Sequence, residues 1–250
     1  PLQIADVGSH GLSAGQHLRR TLLAAVRQLT REAWPLLSIP QAMGQDNAFA
    51  HTSHRDNPWT IWTLLLLMFG VEAITSPPHS LGFTNHVEAV NGLWQQRTIR
   101  KRWYPDLETL RADNTVFLNW ANHRRPVLDP DVSGTRYPAE LIAAHHTSLR
   151  WLPTDFDIDD YLDANNKPRI PLTAGRVTFL RHVTNSHIVI AQHAWPVPDS
   201  LPAGSLVVAA INTGTGHLEI RHKGELAQRH DYPITPSNIE PLHPPAPNGL

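Results

Sequence analysis

The chain has 250 residues, a formal net charge of −1 and no cysteine. That length suffices for one large domain or two modest ones. The neutral balance excludes a global basic field, so any polyanionic partner is met by local patches, and the missing cysteines exclude disulfides and cysteine-ligated zinc while fitting a reducing compartment.

In chain order, Leu2 to Val7 alternates as a short strand. Gly8 to Gly15 is rich in turn residues and has room for a second short strand. Leu18, Leu22, Leu23, Val26, Leu29 and Ala33 recur with a 3.6-residue period, which predicts a helix over 18–34 whose exit is bracketed by Pro35 and Pro40. Ile39 to Gln45 reads as a strand ending at Asp46, and 50–58 as a polar loop. The longest apolar run, Trp59 to Val71, covers 13 residues, short of the roughly 20 that a membrane-spanning helix needs. It is read as a buried helix from Trp59 to Met68, stopped near Gly70, and then a strand from Val71 to Thr75. Prolines 77 and 78 keep the next loop from being helical. Thr84 or Asn85 then caps a helix running to about Arg102.

A further helix spans 105–122, with Leu107, Leu110, Phe117, Leu118 and Trp120 as its buried positions. Composition shifts after Asn122, and a short helix opens at Pro138 and runs to His145. From Leu172 to Ile234 the pattern is β, with turn signals every eight to twelve residues. This fits a small closed barrel of about five strands, with Val177, Phe179, Val189, Val208 and Ile220 inward. The sixteen histidines are scattered with no metal-site spacing, and the adjacent pair His145-His146 points in different directions on a helix. Alternating strands and helices followed by a β unit indicate an α/β core plus a barrel.

Four features then carry a family resemblance. They are Pro40 to Asn47, including Asp46; Leu67-Met68-Phe69-Gly70-Val71-Glu72 followed by the proline loop and Asn85-His86-Val87-Glu88-Ala89-Val90-Asn91-Gly92-Leu93-Trp94; the run Asn122-His123-Arg124-Arg125-Pro126 through Gly134 to Tyr137-Pro138-Ala139-Glu140; and Gly175 to Val183. In this order the chain resembles transposases of bacterial insertion sequences, within the retroviral-integrase superfamily. The resemblance implies a ribonuclease-H-like core, N-terminally truncated, over 1–126. It implies a linker with a short helix over 127–171, a small SH3-like β-barrel over 172–234, and a disordered Pro-rich tail over 235–250. It also implies a reaction at DNA phosphodiester bonds, with Asp46 and Glu88 as catalytic carboxylates that hold Mg²⁺ or Mn²⁺ within roughly 8 Å of each other. Other implied properties are DNA partners (transposon ends and target), a homo-oligomer on DNA, no membrane, and a bacterial cytoplasmic, nucleoid-associated location.

Two departures bear on this. Asp6 sits on what looks like the family's second strand, so the first acid is expected upstream of Pro1 or lost, and the chain reads as a fragment without strand transfer. The Asp46-to-Glu88 spacing is also a few residues longer than the family's, a surplus that fits the polar loop.

Glu88, Asn91 and Gln95 share one helical face, while Val87, Val90 and Trp94 share another and belong to the core. Arg97, Arg100, Lys101 and Arg102 place four cations in six residues. Two readings of that cluster stand: phosphate contact, or a solvated helix end whose cations complement the dipole. Arg124 and Arg125 are further phosphate candidates. In the barrel, Arg176, Arg181, Arg221 and Lys223 stand equally as DNA-backbone contacts or as a solvated face. Against the enzyme stands a non-catalytic DNA-binding or assembly module derived from a transposase, or an unrelated protein-interaction barrel.

Overall fold

The structure is a computed structural model that describes residues 3–5, 12–14, 22–45, 59–78, 85–128, 134–166 and 168–232. It is mixed α/β. Two compact units are present, each made from two stretches of chain: Pro1–Ile39 with Thr84–Phe156, and Pro40–Phe83 with Asp157–Leu250. Among the described residues no helix is long and apolar enough to cross a membrane. Asp6, Asp46, Asn47, the 50–58 loop and the 235–250 tail lie outside the described residues.

In the first unit, β1 (Gln3–Ala5) and β2 (Leu12–Ala14) form an antiparallel hairpin with Gln3 opposite Ala14. The predicted first helix is a continuous helical run in three parts: α1 (Leu22–Gln28), a π turn (Leu29–Ala33) and α2 (Trp34–Leu37). Its buried face includes Val26, Leu29, Ala33, Trp34 and Leu37, as the apolar spacing requires. Pro35 does not end it. Proline lacks an N–H and collides with the carbonyl four residues back in a regular helix. Here the widened π turn precedes it, and Thr30 Oγ1 donates to the Val26 carbonyl at 3.0 Å. The run stops at Ser38, whose N–H donates to the Trp34 carbonyl at 2.9 Å.

Also in this unit are α4 (Asn85–Arg97), α5 (Leu107–His123), the hairpin of β5 (Val127–Leu128) with β6 (Thr135–Arg136), and α6 (Pro138–Ala144). Val90 and Trp94 of α4 pack on Phe117 and Ala121 of α5, flanked by Leu93, Leu118 and Trp120. The 105–122 expectation therefore holds for Phe117. It fails for Leu107, which is exposed at the helix start, while Leu110, Leu118 and Trp120 are half-buried.

The second unit holds one six-stranded mixed sheet. Its members are β3 (Ala42–Gln45), β4 (Glu72–Thr75), β7 (Arg176–His182), β10 (Leu206–Asn212), β11 (His217–His222) and β12 (Glu225–Asp231), in the order β12-β11-β10-β7-β4-β3. β3, β4 and β7 run parallel, and the rest are antiparallel. The strands read from sequence as core and those read as barrel thus share one ladder. α3 (Ile61–Met68) packs beside β4. It is apolar all round and correspondingly buried, with the Thr60 hydroxyl accepting the Thr63 N–H at 3.0 Å. Gly70 takes a left-handed φ of 62°, which ends the helix without a Cβ penalty.

The β region has six strands within 172–232 rather than about five, because 187–196 folds into two: β8 (His187–Ile190) and β9 (His193–Pro196), paired as a hairpin. Val177, Phe179 and Ile220 are buried as expected. Val189 is not: it is 47% exposed, and Ile188 and Ile190 are buried instead. Side chains alternate with a period of two, so burying the isoleucines turns Val189 outward. Val208 is half-buried, and its neighbours Val207 and Ala209 face the core.

The Arg181 guanidinium is buried. It donates to the carbonyls of Leu180 (2.8 Å), Val189 (3.0 Å) and Ser76 (3.1 Å), which joins β7 to β8 and to the end of β4. Burial brings its pKa down to about 10. Arg181 therefore holds the sheet together and offers no DNA-backbone contact. Arg221 pairs with Glu219 at 3.0 Å, and Arg176 lies 3.9 Å from Glu72, while Lys223 is exposed on a turn.

Two hairpins in this unit turn over two residues with positive φ at each: Lys223 and Gly224 (51° and 88°), and Ala191 and Gln192 (48° and 65°). That is the type I′ geometry, which matches the twist of the strands and favours Asn and Gly. A left-handed L-residue costs roughly 1–2 kcal/mol, and glycine costs about 0.5–1 kcal/mol in chain entropy. Gln192 is exposed. Gln192→Gly is expected to stabilise the protein by up to about 1 kcal/mol, seen as a higher urea midpoint at unchanged slope. A lower midpoint would contradict the strained-turn reading.

Candidate nucleic-acid interface

The candidate surface begins where α4 stops. The apolar pattern predicts a helix to about Arg102, yet α4 ends at Arg97. The regular ladder of hydrogen bonds breaks just beyond Thr98. The Thr98 hydroxyl and N–H both donate to the Trp94 carbonyl, at 2.5 and 2.8 Å, and the residue is buried. The Arg100 N–H then reaches the Gln95 carbonyl at 2.8 Å, and the Lys101 N–H the Thr98 carbonyl at 2.9 Å. The chain tightens into a turn, so Arg100, Lys101 and Arg102 stand on that turn instead of on a helix.

The four cations have different roles. The Arg97 guanidinium lies 3.6 Å from the centroid of the Trp120 ring, a close cation–π contact with α5. Arg102 Nη2 donates to Asp113 Oδ1 at 2.6 Å. Tyr104 donates to the other oxygen of Asp113 at 2.8 Å. Desolvation, then the hydrogen bond to Asp113, raises the Tyr104 pKa. Asp113 thereby ties the far side of the turn to α5. Arg100 and Lys101 are exposed, and among the described residues neither is held in an ion pair. No acidic residue occurs between Glu88 and Asp106 in the sequence; in space Asp113 offsets Arg102, which leaves Arg100 and Lys101 as the exposed cations of the turn. The turn also carries Trp103, 82% exposed, and the exposed Ile99.

Glu88 is in the first turn of α4 and is exposed. Asn91 and Gln95 are half-buried along the same face, beside the buried Val90 and Trp94. Trp94 belongs to the core: its indole N–H donates to Asn114 Oδ1 at 2.8 Å. At the end of α5, Arg124 is exposed. Arg125 is half-buried, and burial lowers its pKa. Of the two, Arg124 is the better placed to meet a phosphate.

Asp46 lies outside the described residues. Its neighbour Gln45, the last residue of β3, is fixed by buried hydrogen bonds. Trp62 Nε1 donates to Gln45 Oε1 at 2.6 Å, and Gln45 Nε2 donates to Thr75 Oγ1 at 3.1 Å. Among the described residues no three His, Asp or Glu side chains gather as a metal site. The solvent-facing Glu88 carboxylate is the hard oxygen donor that Mg²⁺ or Mn²⁺ prefers, and it would be one ligand of such an ion.

Sequence reasoning found the basic cluster but missed Trp103 as an exposed aromatic and Asp113 as its anchor. A tryptophan between a basic run and Tyr104-Pro105-Asp106, a stretch that breaks one helix and caps the next, is a loop signal that would have found the first. In comparisons with known proteins, no family model matches the chain, and no curated protein or solved structure matches it.

The turn ends at the cap of α5. Asp106 Oδ1 accepts the Thr109 N–H at 2.7 Å and the Thr109 hydroxyl at 2.8 Å. These bonds hold the Asp106 carboxyl below its ordinary value. The folded pKa lies below the unfolded one, so the contribution of the cap is present above the unfolded pKa and disappears as the pH falls through the folded pKa. The Thr109 amide is expected to be protected from hydrogen exchange at neutral pH and to lose that protection in acid below the usual Asp range. Asp106→Ala should lose it already at neutral pH, and Asp106→Asn should retain it. Equal protection in the alanine variant would show that the cap does not hold the turn.

Proposed function

We propose that this chain is a DNA-processing protein of the transposase/integrase type, binding the DNA backbone through the α4–α5 turn. The observation that carries the reading is the presentation of Arg100 and Lys101 to solvent on a turn anchored at both sides by Arg97–Trp120 and Arg102–Asp113. With a net charge of −1, the protein depends on a local patch for phosphate affinity. On this reading the ribonuclease-H-like core (1–126) and the SH3-like unit (172–234) meet in one sheet, where β4 pairs with β7. The protein acts as a homo-oligomer on transposon ends and target DNA, in the bacterial cytoplasm at the nucleoid. Asp46 and Glu88 would hold Mg²⁺ or Mn²⁺, which when bound neutralises charge on the phosphoryl oxygens.

A second reading is a non-catalytic DNA-binding or assembly module derived from such a protein. It is favoured by the construction of the basic turn, whose anchors Trp120, Asp113 and Thr98 are independent of both carboxylates.

Two measurements separate these. In a low-salt binding assay with duplex DNA, affinity should fall steeply with salt and depend little on sequence. Replacing Arg100, Lys101 and Arg102 together by Ala should weaken all duplexes alike and flatten the slope of log K against log salt by about two to three. Absent or salt-independent binding would refute both readings. Nicking that requires Mg²⁺ and is lost in Glu88→Gln supports the enzyme; intact binding without nicking under any divalent ion supports the module.

A further inference from the structure

Trp103 is the feature of the turn that phosphate binding does not use. It is the most exposed large hydrophobic residue among those described, at 82%. The structure holds both its neighbours: Arg102 by the ion pair with Asp113, and Tyr104 by its hydrogen bond to the same carboxylate. Two residues further on, the Asp106 cap opens α5. The backbone around Trp103 is thus clamped on both sides while its ring is left in water. Burying such a ring is ordinarily favourable, so its place two residues after Lys101 in the chain fits a partner that is both anionic and planar.

A nucleotide with an unpaired base has that chemistry. The phosphates lie within reach of cations, and the base offers a π-face to the indole. A fully paired duplex keeps its bases stacked on one another and offers the indole little beyond its terminal pair. We propose that Trp103 is a stacking platform for an unpaired base, which makes single-stranded tails and frayed ends the preferred DNA of this turn. The inference rests on the DNA-binding reading and adds the kind of DNA.

The test uses the full chain with three probes of matched length: a blunt duplex, the same duplex with a short thymine tail, and the single strand alone. The wild type is expected to bind the tailed duplex roughly tenfold more tightly than the blunt one, the scale of a single base–aromatic stack. Trp103→Ala should abolish that preference and leave blunt-duplex affinity within about twofold of the wild type. Trp103→Phe should restore most of it. Equal wild-type affinity for blunt and tailed DNA, or an alanine variant that weakens both alike, overturns the stacking proposal while leaving backbone binding intact. No binding to any of the three probes at low salt overturns the DNA reading itself. Binding to anionic phospholipid vesicles that depends on Trp103, without DNA binding, assigns the turn to a membrane surface and overturns both.

Discussion

Trp94 must bury two rings and satisfy one indole N–H, and the α4–α5 pair is built around that requirement. The rings pack between Val90, Phe117 and Ala121. The N–H is satisfied by Asn114, twenty positions further along the chain. A buried donor without a partner costs about 1–3 kcal/mol, so Asn114 sets the register of the two helices as firmly as the apolar contacts do. The carbonyl of the same residue accepts the Thr98 N–H, an ordinary helical bond, together with the Thr98 hydroxyl; α4 gives way to the turn where the Arg100 N–H reaches five residues back to the Gln95 carbonyl. The basic cluster therefore follows directly on the helix that Trp94 anchors to α5. Arg97 on Trp120 and Arg102 on Asp113 then fix the two sides of the turn, and the cations left over are the ones a polyanion can reach.

The second unit depends on β7 in a comparable way. It is parallel to β4 on one side and antiparallel to β10 on the other, so it joins the βαβ part of the sheet to the meander. A parallel neighbour needs a long crossover, and between β4 and β7 that crossover includes all of 84–156, which belongs to the other unit. Besides the Arg176–Glu72 pair, two hydrogen bonds link β7 to β4 and its end. The Thr178 hydroxyl donates to Glu72, and Arg181 reaches the Ser76 carbonyl just beyond the strand. The β8–β9 hairpin folds onto the far edge. Trp195 packs against Tyr232 at 5.5 Å between ring centroids, and His230 Nε2 donates to the Pro196 carbonyl at 2.8 Å. Burial there pushes the Tyr232 pKa up to about 12.

What was legible in the chain follows from how local each signal is. The stop of α3 at Gly70, the opening of α6 at Pro138 and the strands before and after α3 rest on residues within a few positions of one another. The passage of the first helix through Pro35 was hidden, because a π turn offsets the proline and leaves no mark in the apolar period. β9 was hidden because Ala191-Gln192 makes a turn usually built from Asn and Gly. Val189 was assigned to the wrong face because Ile188, Val189 and Ile190 are equally apolar, and only packing chooses the parity. Asp46 lies beyond the described residues, and its meeting with Glu88 rests on resemblance.

For the candidate site the division is the same. The sequence by itself determined that four cations lie together without an acid between Glu88 and Asp106, and that an aromatic follows them. Those are facts of order along the chain. Tertiary structure decided that Arg97 and Arg102 are engaged in anchoring, that Arg181 is buried, and that Arg100, Lys101 and Trp103 face water. The reason is that a charge or a ring is freed or engaged by its partner. Trp120, Asp113 and Ser76 stand far from the cations they hold in sequence, and folding alone brings them within contact distance.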